Sequence, residues 1–154
     1  MKRLFYVVMR LAIGAMFMVS GFSKLAAPYQ DFLTAIHAYH ILPDSLAVCV
    51  AFVLPWVELI VGLYAAVGLW TRPALLTLWG LNFVFVAGLA SAILRKLPLE
   101  SCGCFGEGGP VHLKPAEMIF LDLALMLIFV LLWRARETTA FSIDSLFSKP
   151  AKRV

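Results

Sequence analysis

Two cysteines separated by a single residue, Cys102-Gly103-Cys104, are the sharpest chemical feature of the sequence. Outside the cytoplasm, neighbouring thiols tend to be oxidised. A disulfide across one intervening residue closes a very small ring, and a strained bond is easier to reduce than a relaxed one. Such a bond suits exchange better than stapling. Gly103 supplies the backbone freedom the ring needs, Ser101 and Gly106 keep the surroundings small, and Arg95, Lys96 and Lys114 flank the pair with charge that favours a thiolate. Two other readings stay open. Either the bond merely rigidifies the loop or the two thiols are idle, or the pair binds a soft metal such as copper, zinc or mercury, with His112 close in sequence. Two thiolates and one imidazole fall short of a full zinc set, and no second Cys-x-x-Cys completes it. The third cysteine, Cys49, leaves an odd count that argues against a disulfide scaffold. It reads either as a resolving thiol or as a small buried apolar residue.

A second set of residues draws notice because of where they lie. Arg10, Lys24, Glu58 and Asp122 interrupt or end long apolar runs. A charge at the centre of a bilayer costs ~3 kcal/mol or more, so it is normally paired or functional. Glu58 lies ~18 Å into its run at the helical rise of 1.5 Å per residue, near a membrane midplane. Arg10 is long enough to reach inward, and Arg10–Glu58 is the first pairing expected. Asp122 and Lys24 both fall toward the other surface and form a second expected pair. Such pairs either fix helix register or make a polar pocket and proton path beneath the cysteine loop.

The elements that must position these groups follow from composition. The 154 residues are 62% hydrophobic and only 14% charged, where soluble domains carry about 25% charged residues. The chain lacks the material for a polar surface, so its surface must face lipid. Four apolar runs are long enough to span, at residues 4–27, 46–70, 74–94 and 115–133. Met1-Lys2-Arg3 before the first run resembles a signal peptide, but the length of the run and Arg10 favour a retained helix. Between the first two runs, Phe32, Leu33 and Ile36 share one helical face among polar neighbours, which predicts a short interfacial helix. Pro43-Asp44-Ser45 offers a turn and a cap, Pro55 a kink, and Thr71-Arg72-Pro73 a tight antiparallel turn. Pro115 suits the first residue of the last helix. The expected fold is all-α, an integral membrane four-helix bundle over residues 1–136, with the cysteine loop at 97–114 and a polar cytoplasmic tail at 137–154.

Within the bundle, Ser20, Thr77, Asn82 and the glycines at 14, 21, 62, 68, 80 and 88 read as helix-contact residues. Trp70 and Trp133 fit an inner aromatic belt. Trp56 and Trp79 lie deeper, where they either pack the core or wall a site for a flat, quinone-like molecule. The net charge of +4 is distributed at the ends of apolar runs and in the tail, as topological charge is; no nucleic-acid motif accompanies it. Lys2, Arg3, Arg10, Arg72, Arg134, Arg136, Lys149, Lys152 and Arg153 gather on one side, nine of the 13 basic residues, against Lys24, Arg95, Lys96 and Lys114 on the other. The basic side is expected to be cytoplasmic. Both termini then face the cytoplasm across the inner membrane, and the cysteine loop is extracytoplasmic.

Taken in order, these segments resemble the DoxX-like superfamily, in its MauE (methylamine utilisation) branch of redox-associated membrane proteins. The resemblance runs from about Arg10 to Trp133. It is carried by Arg10-Leu-Ala-Ile-Gly14 with Phe17, Gly21-Phe-Ser-Lys24-Leu25, Phe32 with Tyr39 and Pro43, Leu54-Pro55-Trp56-Val57-Glu58-Leu59 with Gly62, Arg72, and above all Cys102-Gly103-Cys104-Phe105-Gly106. It implies a four-helix membrane bundle tied to thiol or disulfide chemistry in periplasmic maturation. Cys102 and Cys104 would cycle between dithiol and disulfide against an extracytoplasmic thioredoxin-like partner or client. An oxidising path would need a membrane acceptor such as quinone, for which the sequence offers no firm site. The rival readings are a soft-metal carrier and a structural subunit of a membrane complex.

Overall fold

A computed structural model describes residues 2–97 and 115–134, and every regular element among them is an α-helix. The elements are α1 (Lys2–Ala26), α2 (Tyr29–Ala38), α3 (Asp44–Val67), α4 (Thr71–Leu94) and α5 (Pro115–Arg134). Three of them are long and apolar enough to cross a membrane, over Leu4–Ala26, Asp44–Val67 and Thr71–Leu94. The protein is thus a multi-pass membrane protein. The last helix has 20 residues, but carries Glu117, Asp122 and Arg134 and is not among those three.

Why α1 packs where it does can be read along one stripe. Arg10, Ile13, Gly14, Phe17, Ser20, Gly21 and Lys24 are all buried, at the 3–4 residue spacing of a helix–helix seam. The opposite face exposes Leu4, Phe5, Val8, Leu11, Val19 and Phe22. A face of that kind would be a liability in water and is the expected boundary with lipid. The seam lies on α3, the most extensive contact between any two helices. Gly14 and Gly21 allow it: a β-carbon on Gly14 would meet the Gly62 carbonyl oxygen at 2.7 Å, and one on Gly21 the Pro55 oxygen at 2.6 Å. From the other side, a β-carbon on Gly62 would stand 3.0 Å from the Gly14 oxygen. Gly80 and Gly88 face open space instead, so the expectation that they serve helix contact is corrected. Thr77 is also exposed, and its hydroxyl turns back to the Pro73 carbonyl at 3.0 Å.

The apolar core, with Ile13, Phe17, Ala65, Leu75, Leu78, Leu125, Phe129 and Leu132, fills the half of the bundle nearest the α3–α4 turn. That turn lies earlier than Thr71-Arg72-Pro73. Gly68 (φ 74°) and Trp70 (φ 47°) are both left-handed, and the N–H groups of Gly68 and Leu69 donate to the Tyr64 carbonyl at 3.0 and 2.9 Å. Arg72 and Pro73 then fall in the first turn of α4, where a missing N–H is harmless. Pro55 lies within a continuous α3. Asp44 is the first residue of α3 and makes no capping bond, since Pro43 occupies the cap position. The short helix between the first two spans is present as α2, with Phe32 buried and Leu33 and Ile36 half-buried against its neighbours.

Candidate functional site

The other half of the bundle is polar inside. Lys24, two residues from the end of α1, folds back toward the preceding turn and enters a site with no solvent access. Its ammonium donates to Glu58 Oε1 at 2.7 Å, to Glu58 Oε2 at 2.8 Å and to Ser20 Oγ at 3.0 Å. Three N–H groups therefore have three acceptors, which is all that an ammonium can satisfy. Ser20 donates in turn to Glu58 Oε2 at 3.2 Å. The rings of Phe32 on α2 and Phe85 on α4 each stand 5.1 Å from Lys24 Nζ, close enough for the cation to be held by their faces. One side chain from α1 thus touches α2, α3 and α4.

This arrangement corrects both expected pairings. Glu58 takes Lys24 rather than Arg10, because Gly21 seats on Pro55 and brings the end of α1 level with the middle of α3. Arg10 precedes Lys24 by 14 residues, ~21 Å along a helix, and is buried at the opposite end of the seam. Asp122, the second carboxylate, does not bond to Lys24. Its Oδ1 accepts a hydrogen bond from Asn82 Nδ2 at 3.0 Å, joining α5 to α4. Asn82 Oδ1 and Asp122 Oδ2 are buried and have no hydrogen-bonding partner among the described residues, an omission that costs ~1–3 kcal/mol for each such group when nothing else supplies a donor. Ser20, Asn82 and Asp122 meet at a cavity of about 20 Å³, walled elsewhere by Met16, Phe17, Phe85, Met118 and Leu125. The sequence marked Lys24, Glu58 and Asp122 through their charge. It filed Ser20 and Asn82 under helix contact and missed Phe32 and Phe85 as partners of the cation. The four-residue step from Ser20 to Lys24, one turn on the same face, was the available signal.

A larger cavity of about 460 Å³ opens between α2, α3 and α4. Its wall is apolar and includes Phe32, Leu54, Phe83 and Phe85, so its inner side shares both aromatic rings with the Lys24 site. Trp56 is exposed on the outer face of α3 and lines neither this cavity nor the small polar one. Trp79 stacks on Phe83 and lines a separate cavity of about 220 Å³ with Trp133 and Arg134. Trp70 and Trp133 are exposed, as belt residues are.

The cysteine pair and His112 lie outside the described residues. The root of their loop does not. Arg95, the first residue after α4, donates from Nη1 to the carbonyl of Tyr39 at 2.9 Å, which clasps the end of α4 to the end of α2. A looser contact, His37 Nδ1 to Asp44 Oδ1 at 3.8 Å, links α2 to the start of α3. Cys49 is a free thiol on the first half of α3 and is exposed rather than buried.

Comparison with known proteins brings these parts together. A family profile described as "Methylamine utilisation protein MauE" matches residues 2–134. The methylamine utilization protein MauE of Paracoccus denitrificans is 33% identical over 100 residues, covering 65% of this chain and 53% of the relative. The chain thus spans about half the length of that relative. No solved structure matches. The profile runs unbroken across the α1–α3 seam, the buried Lys24–Glu58 pair, the α4–α5 contact and the Cys-Gly-Cys segment, and on that span the chain belongs to the MauE family.

Proposed function

We propose that the protein is a membrane thiol–disulfide exchange component, acting through Cys102 and Cys104 on extracytoplasmic proteins that serve methylamine utilisation. The observation that carries this reading is the Cys-Gly-Cys pair itself, set in the segment between α4 and α5. Membership of the MauE family supports the process served. In this reading α5 is a fourth span, α2 rests at the outer boundary, both termini are cytoplasmic and the cysteine segment is extracytoplasmic. One thiolate of the pair attacks a partner disulfide, or a partner thiolate attacks the Cys102–Cys104 bond. Either way a mixed disulfide forms and one thiolate leaves. The second thiol of whichever protein attacked then resolves it and releases the second sulfur of the original disulfide, so one disulfide is made for each one broken and no electrons are left over.

Replacing the resolving thiol traps the intermediate. Cys104→Ser, isolated from membranes under non-reducing conditions, is expected to carry a client adduct. Reductant releases that adduct, and the Cys102→Ser/Cys104→Ser double variant lacks it. Tight stoichiometric metal with no adduct identifies a carrier and overturns the reading. Full function of Cys102→Ser overturns it in favour of a structural subunit.

A further inference from the structure

We propose that the small cavity between α1, α4 and α5 binds one water molecule, and that this water makes Glu58 and Asp122 the two ends of a proton-exchange path inside the bundle. Hydrogen-bond accounting is the starting point. Asn82 and Asp122 are 1% and 4% exposed, both line the cavity, and each has an acceptor oxygen with no donor among the described residues. Turning the Asn82 amide over does not help, because it would set its oxygen against Asp122 Oδ1 and lose the 3.0 Å bond already made. What is missing is two donated hydrogens, and water donates two. The volume, about 20 Å³, exceeds the roughly 10–15 Å³ that one water requires, and three polar side chains at the wall fall within the usual two to four partners.

Ser20 extends the site to Glu58. It lines the cavity, accepts from Lys24 Nζ at 3.0 Å and donates to Glu58 Oε2 at 3.2 Å. A hydroxyl that accepts and donates passes protons without accumulating charge. A proton leaving the Asp122 carboxyl moves to the water, the water gives one to Ser20 Oγ, and Ser20 gives its own to Glu58. One proton moves from one carboxyl to the other, and each relay member ends as it began. The charged groups around the path are few. Lys24 is the only cation at this level on α1, Glu58 is the acid on α3, α4 contributes neutral Asn82, and on α5 Asp122 is preceded by Glu117 at the exposed rim. One ammonium facing two carboxyl groups leaves the set one positive charge short, which is the setting in which a single proton is shared. The inference stands apart from thiol exchange and survives its failure.

Asn82 is the single asparagine of the chain, so labelling with ¹⁵N-asparagine gives one side-chain amide resonance for the full-length protein in lipid nanodiscs. A cross-peak from a long-lived water to that amide is expected, together with a pH-dependent shift of the resonance. Glu58→Gln should move the midpoint of that shift, and with Ser20→Ala present the movement should fall by at least half. A folded protein, recognised by one sharp resonance, that lacks the water cross-peak overturns the proposal. So does a Glu58→Gln response that Ser20→Ala leaves unchanged, because the two acids would then communicate by charge alone.

Discussion

Lys24 and Glu58 are fully enclosed, and their bond is as short as an ion pair normally becomes. Such a pair adds little net stability over apolar residues of similar shape, but removing one partner strands a charge. Lys24→Met should therefore destabilise the bundle by ~3–5 kcal/mol, and Lys24→Met/Glu58→Leu should recover most of that loss. Unfolding in bicelles checks both, and a double variant no better than the single would show that the pair does more than balance charge. Cys49 and Trp56 show how far residue type can be read. The buried reading of Cys49 and the inward roles of Trp56 are both corrected, because both residues face outward. In water an apolar residue points in, but lipid is as apolar as the core, so hydrophobicity alone does not choose a face.

Among the helices, the contact residues Gly14, Ser20, Gly21 and Gly62 are legible in the sequence, and the register at which α1 meets α3 is not. Small and polar residues at seam spacing identify the buried face of α1 from sequence. Which turn of α3 meets which turn of α1 depends on two backbones touching at Gly21 and Pro55, a fit between shapes rather than a pattern of types. That unread register is why Glu58 was matched to the wrong cation. The turn before α4 was misplaced for a related reason: Trp70 adopts a left-handed conformation that bulky residues seldom take. The glycines make the seam testable. Gly21→Ala, meeting backbone at 2.6 Å, should cost ~1–3 kcal/mol as overpacking does. Gly88→Ala, with nothing within 4 Å, should be neutral or stabilise by up to ~1 kcal/mol through helix propensity. Equal thermal stabilities for the two variants would mean that α1 and α3 are not in close contact.

For the whole molecule, the reactivity of its two ends fixes which way it faces. Asp44 heads α3 with its side chain 94% exposed, at the end of the bundle where α1 stops and the cysteine segment begins. In a chain with its native cysteines replaced, Asp44→Cys should react in intact cells with a membrane-impermeant maleimide. Lys152→Cys should react only after the cells are opened. The reverse pattern would put the cysteine segment in the cytosol and end the exchange reading. The all-α, multi-pass architecture and the charge asymmetry behind this prediction come from composition and spacing. The gathering of Ser20, Lys24, Glu58, Asn82 and Asp122 in one half of the interior does not, because it arises only when stripes from distant segments are brought together.

The clasp between Arg95 and the Tyr39 carbonyl has a mechanical meaning. It fastens the end of α4, the last described turn before the cysteine segment, to a helix of only ten residues. A load placed on α2 is thereby carried to the C-terminal end of α4, so a push on one helix is felt at the other.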